Sequence, residues 1–334
     1  MASVTTFYSI LWMLMVGNVI AYPLNDEDSS EYGVLPGKVA TNCSCGWANK
    51  PTRRIIGGKD AGEHEYPAMV GVIAPTGSYV ENNLVCGGTL ITRRHIVTAA
   101  HCVHTISGVP LKPEQLRFVL GAHRLSKINY DDPEVMRKAE RFIAHPKYDK
   151  TITSYDLAIV VLEKPVVYSN IIGPACMPTA RMYPVGKRLT AIGWGFMDFK
   201  ATKPDALQKV RINVVSPTYC YSYQQFNREE GFQYCTHQGD QTGQCVGDSG
   251  GPILWRDPDT NRYTLLAAPS FSKPGCVLQP AVVSDITYYI PWIQKVISET
   301  YPDEQTCSKV QKPEDNHGWI FPDQDNGGMV FPDD

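Results

Sequence analysis

The sequence predicts an all-β fold, a barrel or sandwich of many short strands closed by one helix. Short apolar runs rich in β-branched residues recur between residues 69 and 283, and Gly, Pro, Asn and Asp punctuate them. Only the last element has helical spacing, with Tyr288, Ile290, Trp292, Ile293, Val296 and Ile297 suited to one face of an amphipathic helix. With 334 residues, 43% of them hydrophobic and 19% charged, the chain can bury a large core as one big domain or two modest ones.

Taken in order, the chain opens on an apolar run over residues 7–21 that ends Val19-Ile20-Ala21, before polar Asn25-Asp26-Glu27-Asp28. About 15 residues is short for a spanning helix, so residues 1–21 read as a secretion signal and the mature chain as starting near Tyr22. Residues 22–54 are polar with little periodicity, a propeptide or linker. They include one sequon not blocked by proline, Asn42-Cys43-Ser44. At their end Arg53-Arg54 meets Ile55-Ile56-Gly57-Gly58, either a processing site or a solvated charge pair.

From Ile55 the composition is that of a packed β protein. The strand candidates are 69–72, 90–91, 96–97, 116–120, 157–162, 189–192, 210–215, 253–255, 264–268 and 281–283, and the helix closes the domain near Tyr301. Residues 302–334 read as an acidic, flexible tail, with eight acidic residues and two lysines from 303 onward. Within it Trp319-Ile320-Phe321-Pro322-Asp323 is echoed by Met329-Val330-Phe331-Pro332-Asp333, two copies being too few for a repeat fold.

A formal net charge of −3 gives no general attraction to nucleic acid or an anionic membrane, and no partner of either kind is expected. Ten cysteines behind a signal peptide argue for disulfides formed in an oxidising compartment, hence a secreted, extracellular protein. Cys43-Ser44-Cys45 is too tight for a zinc knuckle and no second ligand pair accompanies it, so neither metal nor cofactor is expected.

The chemistry centres on Gly247-Asp248-Ser249-Gly250-Gly251-Pro252, a serine between glycines on what reads as a tight turn beside exposed backbone N–H groups. A serine hydroxyl needs a base within hydrogen-bond reach, itself oriented by a third group. His101 stands out for the base, between small residues and next to Cys102 in Ala99-Ala100-His101-Cys102. The remaining histidines, 64, 95, 104, 123, 145, 237 and 317, sit among polar or turn residues and read as surface groups. Asp156 precedes the apolar run Leu157-Ala158-Ile159-Val160; it is either the orienting acid or an ordinary strand-start aspartate.

Together these three segments, in the order His, Asp, Ser, closely resemble the chymotrypsin-like serine proteases over residues 43–301. The resemblance implies two six-stranded antiparallel β-barrels, a C-terminal helix, and a site in the cleft between the barrels. It implies Ser249 as nucleophile, His101 as base and Asp156 as its orienting acid, with the Gly247 and Ser249 N–H groups as oxyanion hole. It further implies activation by cleavage after Arg54, which frees the Ile55 amine to pair with Asp248. The disulfides implied are Cys86–Cys102, Cys220–Cys235 and Cys245–Cys276, with Cys176 joined to Cys45 or Cys43. Cys307 is left for the remaining one by parity alone. The Cys-Ser-Cys-Gly-Trp segment at residues 43–47 looks like that of secreted arthropod proteases of saliva and venom.

The specificity pocket departs from trypsin. Gly243 stands at its base, where trypsin has the aspartate that binds Lys or Arg. Ser270-Phe271-Ser272 replaces the commoner Ser-Trp-Gly on one wall, Ala281 replaces a glycine on the other, and Gln244 is available for a polar contact. These changes predict cleavage after uncharged, small to medium residues. Ala122 stands where the family's calcium loop opens with glutamate, so calcium is not expected either. The partners implied are protein or peptide substrates, an activating protease of basic-residue specificity, and inhibitors of serpin or Kunitz type. The rival reading is a catalytically weak homologue acting as a secreted binding module.

Overall fold

The computed structural model describes residues 33–49, 60–75, 84–196, 202–227, 230–237, 247–272 and 279–311. The signal segment, Arg54, Ile55, Gly243, Gln244, the Cys245–Cys276 pair, His317 and the tail motifs lie outside the described residues.

Thirteen strands and one α-helix are described. The first group is β1 (Met69–Ile73), β2 (Leu84–Leu90), β3 (His95–Thr98), β4 (Arg117–Leu120), β5 (Met136–Arg137), β6 (Ala139–Ala144) and β7 (Ala158–Leu162). They form one antiparallel sheet in the order β5-β4-β1-β2-β3-β7-β6. Seven strands stand where six are expected because residues 136–144 run as one segment interrupted at Lys138. Its start pairs with β4 and its remainder with β7, which brings the two ends of the sheet together. The second group is β8 (Arg188–Gly193), β9 (Gln208–Val215), β10 (Gln233–His237), β11 (Ile253–Asp257), β12 (Arg262–Ser272) and β13 (Ala281–Asp285). These six close fully, in the order β10-β13-β12-β11-β8-β9. The architecture is therefore two antiparallel β-barrels and a C-terminal helix.

Side-chain alternation explains the apolar runs. In β7, Ala158, Val160 and Leu162 fill the first barrel with Val70, Leu90 and Phe118. Ile159 and Val161 point the other way, into a cluster with Trp194, Leu254, Ile293 and Ile297 that joins the barrels to the helix. Both faces are buried, so the run is continuous rather than alternating. β6 and β10 escape the apolar pattern, because β6 carries exposed or half-buried Glu140 and Arg141 and β10 is Gln-Tyr-Cys-Thr-His.

The helix α1 (Ile286–Thr300) starts at Asp285, whose carboxylate accepts the Thr287 N–H at 2.8 Å and caps the first turn. Its buried face is Ile286, Tyr289, Ile293, Val296 and Ile297. Tyr289 takes the place expected for Tyr288 and Ile290, which are half-buried.

The first and last described segments, 33–49 and 302–311, are tied to the body. Cys45 is bonded to Cys176 and Cys43 to Cys307. Gly46 donates to Pro174 and accepts from Tyr263, at 2.8 and 2.7 Å. Thr41 pairs with Lys309, and Met177 with Ser308, as short bridges. The ordered body thus runs on past Tyr301 to residue 311, because Thr306 and Cys307 are buried and Glu304 pairs with Arg93 at 3.2 Å. The flexible tail expected from 302 does not begin there.

Replacing Cys43 and Cys307 together by serine removes a long-range crosslink while Cys45–Cys176 remains. It should lower stability by about 2–4 kcal/mol, read as a fall in the urea midpoint, with a rise in m as the unfolded chain loses its longest crosslink.

Candidate active site

The register of two strands assembles the site. β3 pairs with β7 so that Thr98 lies opposite Ala158. The residues just past the end of β3 therefore meet those just before the start of β7. The first continue into a 3₁₀ turn, Ala100–Val103, which carries His101, and the Cys86–Cys102 disulfide ties that turn back to β2. The second include Asp156, which is fully buried.

A buried carboxylate needs donors, and Asp156 has three. The His101 backbone N–H reaches Oδ1 at 2.9 Å, the His101 ring Nδ1–H reaches Oδ2 at 2.7 Å, and the Ser270 hydroxyl reaches Oδ2 at 2.5 Å. The Ser284 hydroxyl also donates to the Asp156 carbonyl at 2.9 Å. An ionised carboxylate only accepts, so Nδ1 carries the proton and Nε2 is left with its lone pair. Burial alone would pull His101 below its ordinary value of 6.5, but the Asp156 charge and hydrogen bond together outweigh burial and raise it. Burial likewise pushes Asp156 up, yet His101 and the Ser270 bond bring it below its ordinary 3.8.

Ser270, expected as a pocket wall, has its hydroxyl on Asp156. A register shift between Pro269 and Phe271, opposite Val283 and Val282, leaves Ser270 as the extra residue of a β-bulge and aims it inward. Phe271 and Ser272 follow it, half-buried, and Ala281 is buried at the start of β13.

The turn bearing Ser249 is seated on both barrels. The Ser249 carbonyl accepts the Gly87 N–H at 2.8 Å, from β2, and Gly250 donates to Pro269 at 2.9 Å, on β12. Gly250 has a φ of +73°, and a Cβ there would lie 2.4 Å from the Ala99 nitrogen. Only glycine allows that approach. It places Ser249 alongside the His101 turn. Gly247 is also left-handed, with φ +101°, and among the described residues neither its N–H nor that of Ser249 donates to a partner. The Asp248 carboxylate packs against Gly193 and Gly195 and accepts the Gly195 N–H at 2.9 Å.

Two of the histidines expected at the surface are not there. His95 is wholly buried, with its ring nitrogens 2.7 Å from the Thr92 hydroxyl and 2.8 Å from that of Thr300. His145 is buried among Tyr155, Tyr289 and Trp292. Desolvation, aided by neighbouring Arg94 and Lys147 respectively, lowers each to about 4, so both are neutral packing groups at pH 7. Partners supplied by distant segments keep them inside, and no local pattern announces this. Cys220–Cys235 braces the second barrel. Among the described residues the one grouping with metal-ligand spacing is Cys86, His101 and Cys102, and its two cysteines are joined to each other.

Comparison with known proteins agrees with this arrangement. The Trypsin family model matches residues 55–293. Venom serine protease 34 of Apis mellifera is 32% identical over 276 residues, covering 81% of this chain and 64% of that protein. Venom serine protease of Polistes dominula is 30% identical over 263 residues, 78% of this chain and 91% of that protein. Serine proteinase stubble of Drosophila melanogaster is 31% identical over 296 residues, 84% of this chain but 36% of that protein. The chain thus spans less than two thirds of the length of two of these three relatives. With the family match running through both barrels and into the helix, the chain belongs to the trypsin family.

Proposed function

We propose that the protein is a secreted serine endopeptidase, made as a proenzyme and acting through an acyl-enzyme. The observation that carries this reading is the hydrogen-bonded chain from Ser270 through Asp156 to the His101 ring, beside the turn that presents Ser249. Ser249 attacks the scissile carbonyl while His101 Nε2 takes its proton and returns it to the leaving amine. Asp156 holds the ring and stabilises its cationic form. The N–H groups of Gly247 and Ser249 receive the oxyanion. Water, activated by the same ring, then releases the acyl group.

The switch is the pairing of a freed Ile55 amine with Asp248. The described chain resumes at Asp60, which bridges to Gln208, the residue opposite Gly193 in the β8–β9 ladder. Five residues span at most about 17 Å, enough for Ile55 to approach the Asp248 carboxylate from that anchor. The apolar segment at 1–21, the four disulfides among the described residues and the venom proteases among the relatives support secretion. Cleavage after Arg54 by a basic-specific protease would leave residues 33–49 attached through Cys45–Cys176 and Cys43–Cys307. Protein substrates follow from the family; cleavage after uncharged, small to medium residues follows from Gly243, Ser272 and Ala281. Inhibitors of serpin or Kunitz type would bind as substrate mimics.

A second reading, a binding module without turnover, draws on the same narrowed pocket. After cleavage at Arg54 an organophosphonate should label the wild type and not Ser249→Ala; an unlabelled wild type would favour the binding module.

The acid limb of kcat/KM should lie above pH 6.5, because the base must be neutral and Asp156 raises it. Asp156→Asn removes that support. It should cost about 10⁴ in kcat, the figure known for trypsin-type triads, and move the limb downward, as a pH–rate profile would reveal. The Ile55–Asp248 pair needs the ammonium form, so its stabilisation is full below the free amine range of about 7.7–8.0 and lost as pH rises through the raised value. Activated enzyme should accordingly lose activity reversibly at alkaline pH. A peptide library should be cut after uncharged residues; cleavage mainly after Arg or Lys would overturn the pocket assignment.

A further inference from the structure

The mechanism gives no role to Tyr155, the residue before Asp156. Its backbone is left-handed, with φ +49°, a conformation a bulky side chain rarely takes and one that persists only where its surroundings over-determine it. Those surroundings are specific. The Tyr155 ring lies between His145, at 4.9 Å between centroids and 5° between planes, and Phe232, at 4.2 Å and 19°. Its hydroxyl donates to Glu230, and the Lys147 ammonium stands 5.5 Å from its centroid.

The same neighbours hold the chain on the far side of the carboxylate. The His145 N–H donates to the Leu157 carbonyl at 2.9 Å, and the Leu157 N–H donates to the Tyr155 carbonyl at 2.8 Å. His145 therefore grips Asp156 from both sides, by its ring on the residue before and by its backbone on the residue after. Phe232 accepts the Asp285 N–H at 2.9 Å, next to Ser284, whose hydroxyl holds the Asp156 carbonyl. Relaxation of Tyr155 out of its left-handed state would rotate the Asp156 side chain away from three bonds of 2.5–2.9 Å.

We propose that Tyr155 is a positioning residue: clamped between His145 and Phe232, it fixes the turn that aims the Asp156 carboxylate at His101. The inference rests on the triad reading above. Burial and Lys147 bring His145 down to about 4, so it does not titrate within the His101 limb; among the described residues Glu230 and Lys147 are the other charged groups that face the Tyr155 ring.

The test compares activated wild type, Tyr155→Phe and Tyr155→Asn, each normalised to active sites by burst titration, with Ser249→Ala as a control at equal protein concentration. Asparagine tolerates the left-handed backbone but gives up the stack; phenylalanine keeps the stack and loses only the Glu230 bond. Tyr155→Asn should lose on the order of tenfold or more in kcat with KM little changed, and its acid limb should move down toward 6.5. Tyr155→Phe should recover most of that loss. If Tyr155→Asn keeps the kcat and pH profile of wild type and changes only its melting temperature, Tyr155 is a packing residue and the inference fails. Phe232→Leu loosens the other face of the clamp and is read in the same way should Tyr155→Asn yield no folded protein. Wild type no more active than Ser249→Ala would overturn the triad reading and this inference with it, whereas active wild type beside an unaffected Tyr155→Asn overturns this inference alone.

Discussion

A charge placed in a dry interior must be compensated where it stands, and the Asp156 carboxylate is the point on which this molecule depends. It belongs to the first barrel, as does His101, which supplies two of its donors. Ser270 and Ser284, which hold its side chain and its carbonyl, belong to adjacent strands of the second barrel. The carboxylate is therefore satisfied only when the two barrels are packed together. The same packing gives His101 its tautomer and its raised affinity for a proton, so folding and base strength share one set of bonds.

The turn that carries Ser249 obeys a related constraint. It crosses between the barrels, touching Gly87 on one and Pro269 on the other, and its glycines are what allow backbone to approach that closely. The Asp248 carboxylate lies against Gly193 and Gly195.

Much of this was legible in the sequence where one residue type has few alternatives. The run from Leu157 to Leu162 reads as strand because both faces of β7 are buried, and Gly250 reads as a turn because nothing larger fits against Ala99. What was not legible depends on partners far along the chain. β6 and β10 hide their pairing behind Glu, Arg, Gln and Thr, since hydrogen bonds to neighbouring strands rather than apolar side chains define them. His95 and His145 look like surface histidines until Thr300 and Trp292 arrive from the helix. The bond from Ser270 to Asp156 has no local signal, because a bulge, unlike an alternating strand, leaves no periodic signature. Cys307 pairs with Cys43 by geometry that parity could only suggest, and that bond carries order past the helix, where acidic composition pointed to a flexible tail.

The clasp between residues 40–44 and 307–310 has a consequence for the whole architecture, because it joins the segment before the family-matched residues 55–293 to the segment after them. All of it nevertheless stands around one buried bond, and that bond can be read directly. Titration of the His101 ring by NMR in folded protein reports the balance between burial, which lowers its pKa, and Asp156, which raises it. A midpoint above 6.5, brought down by Asp156→Asn, is the predicted result; a midpoint at or below 6.5 that ignores the substitution would contradict the account.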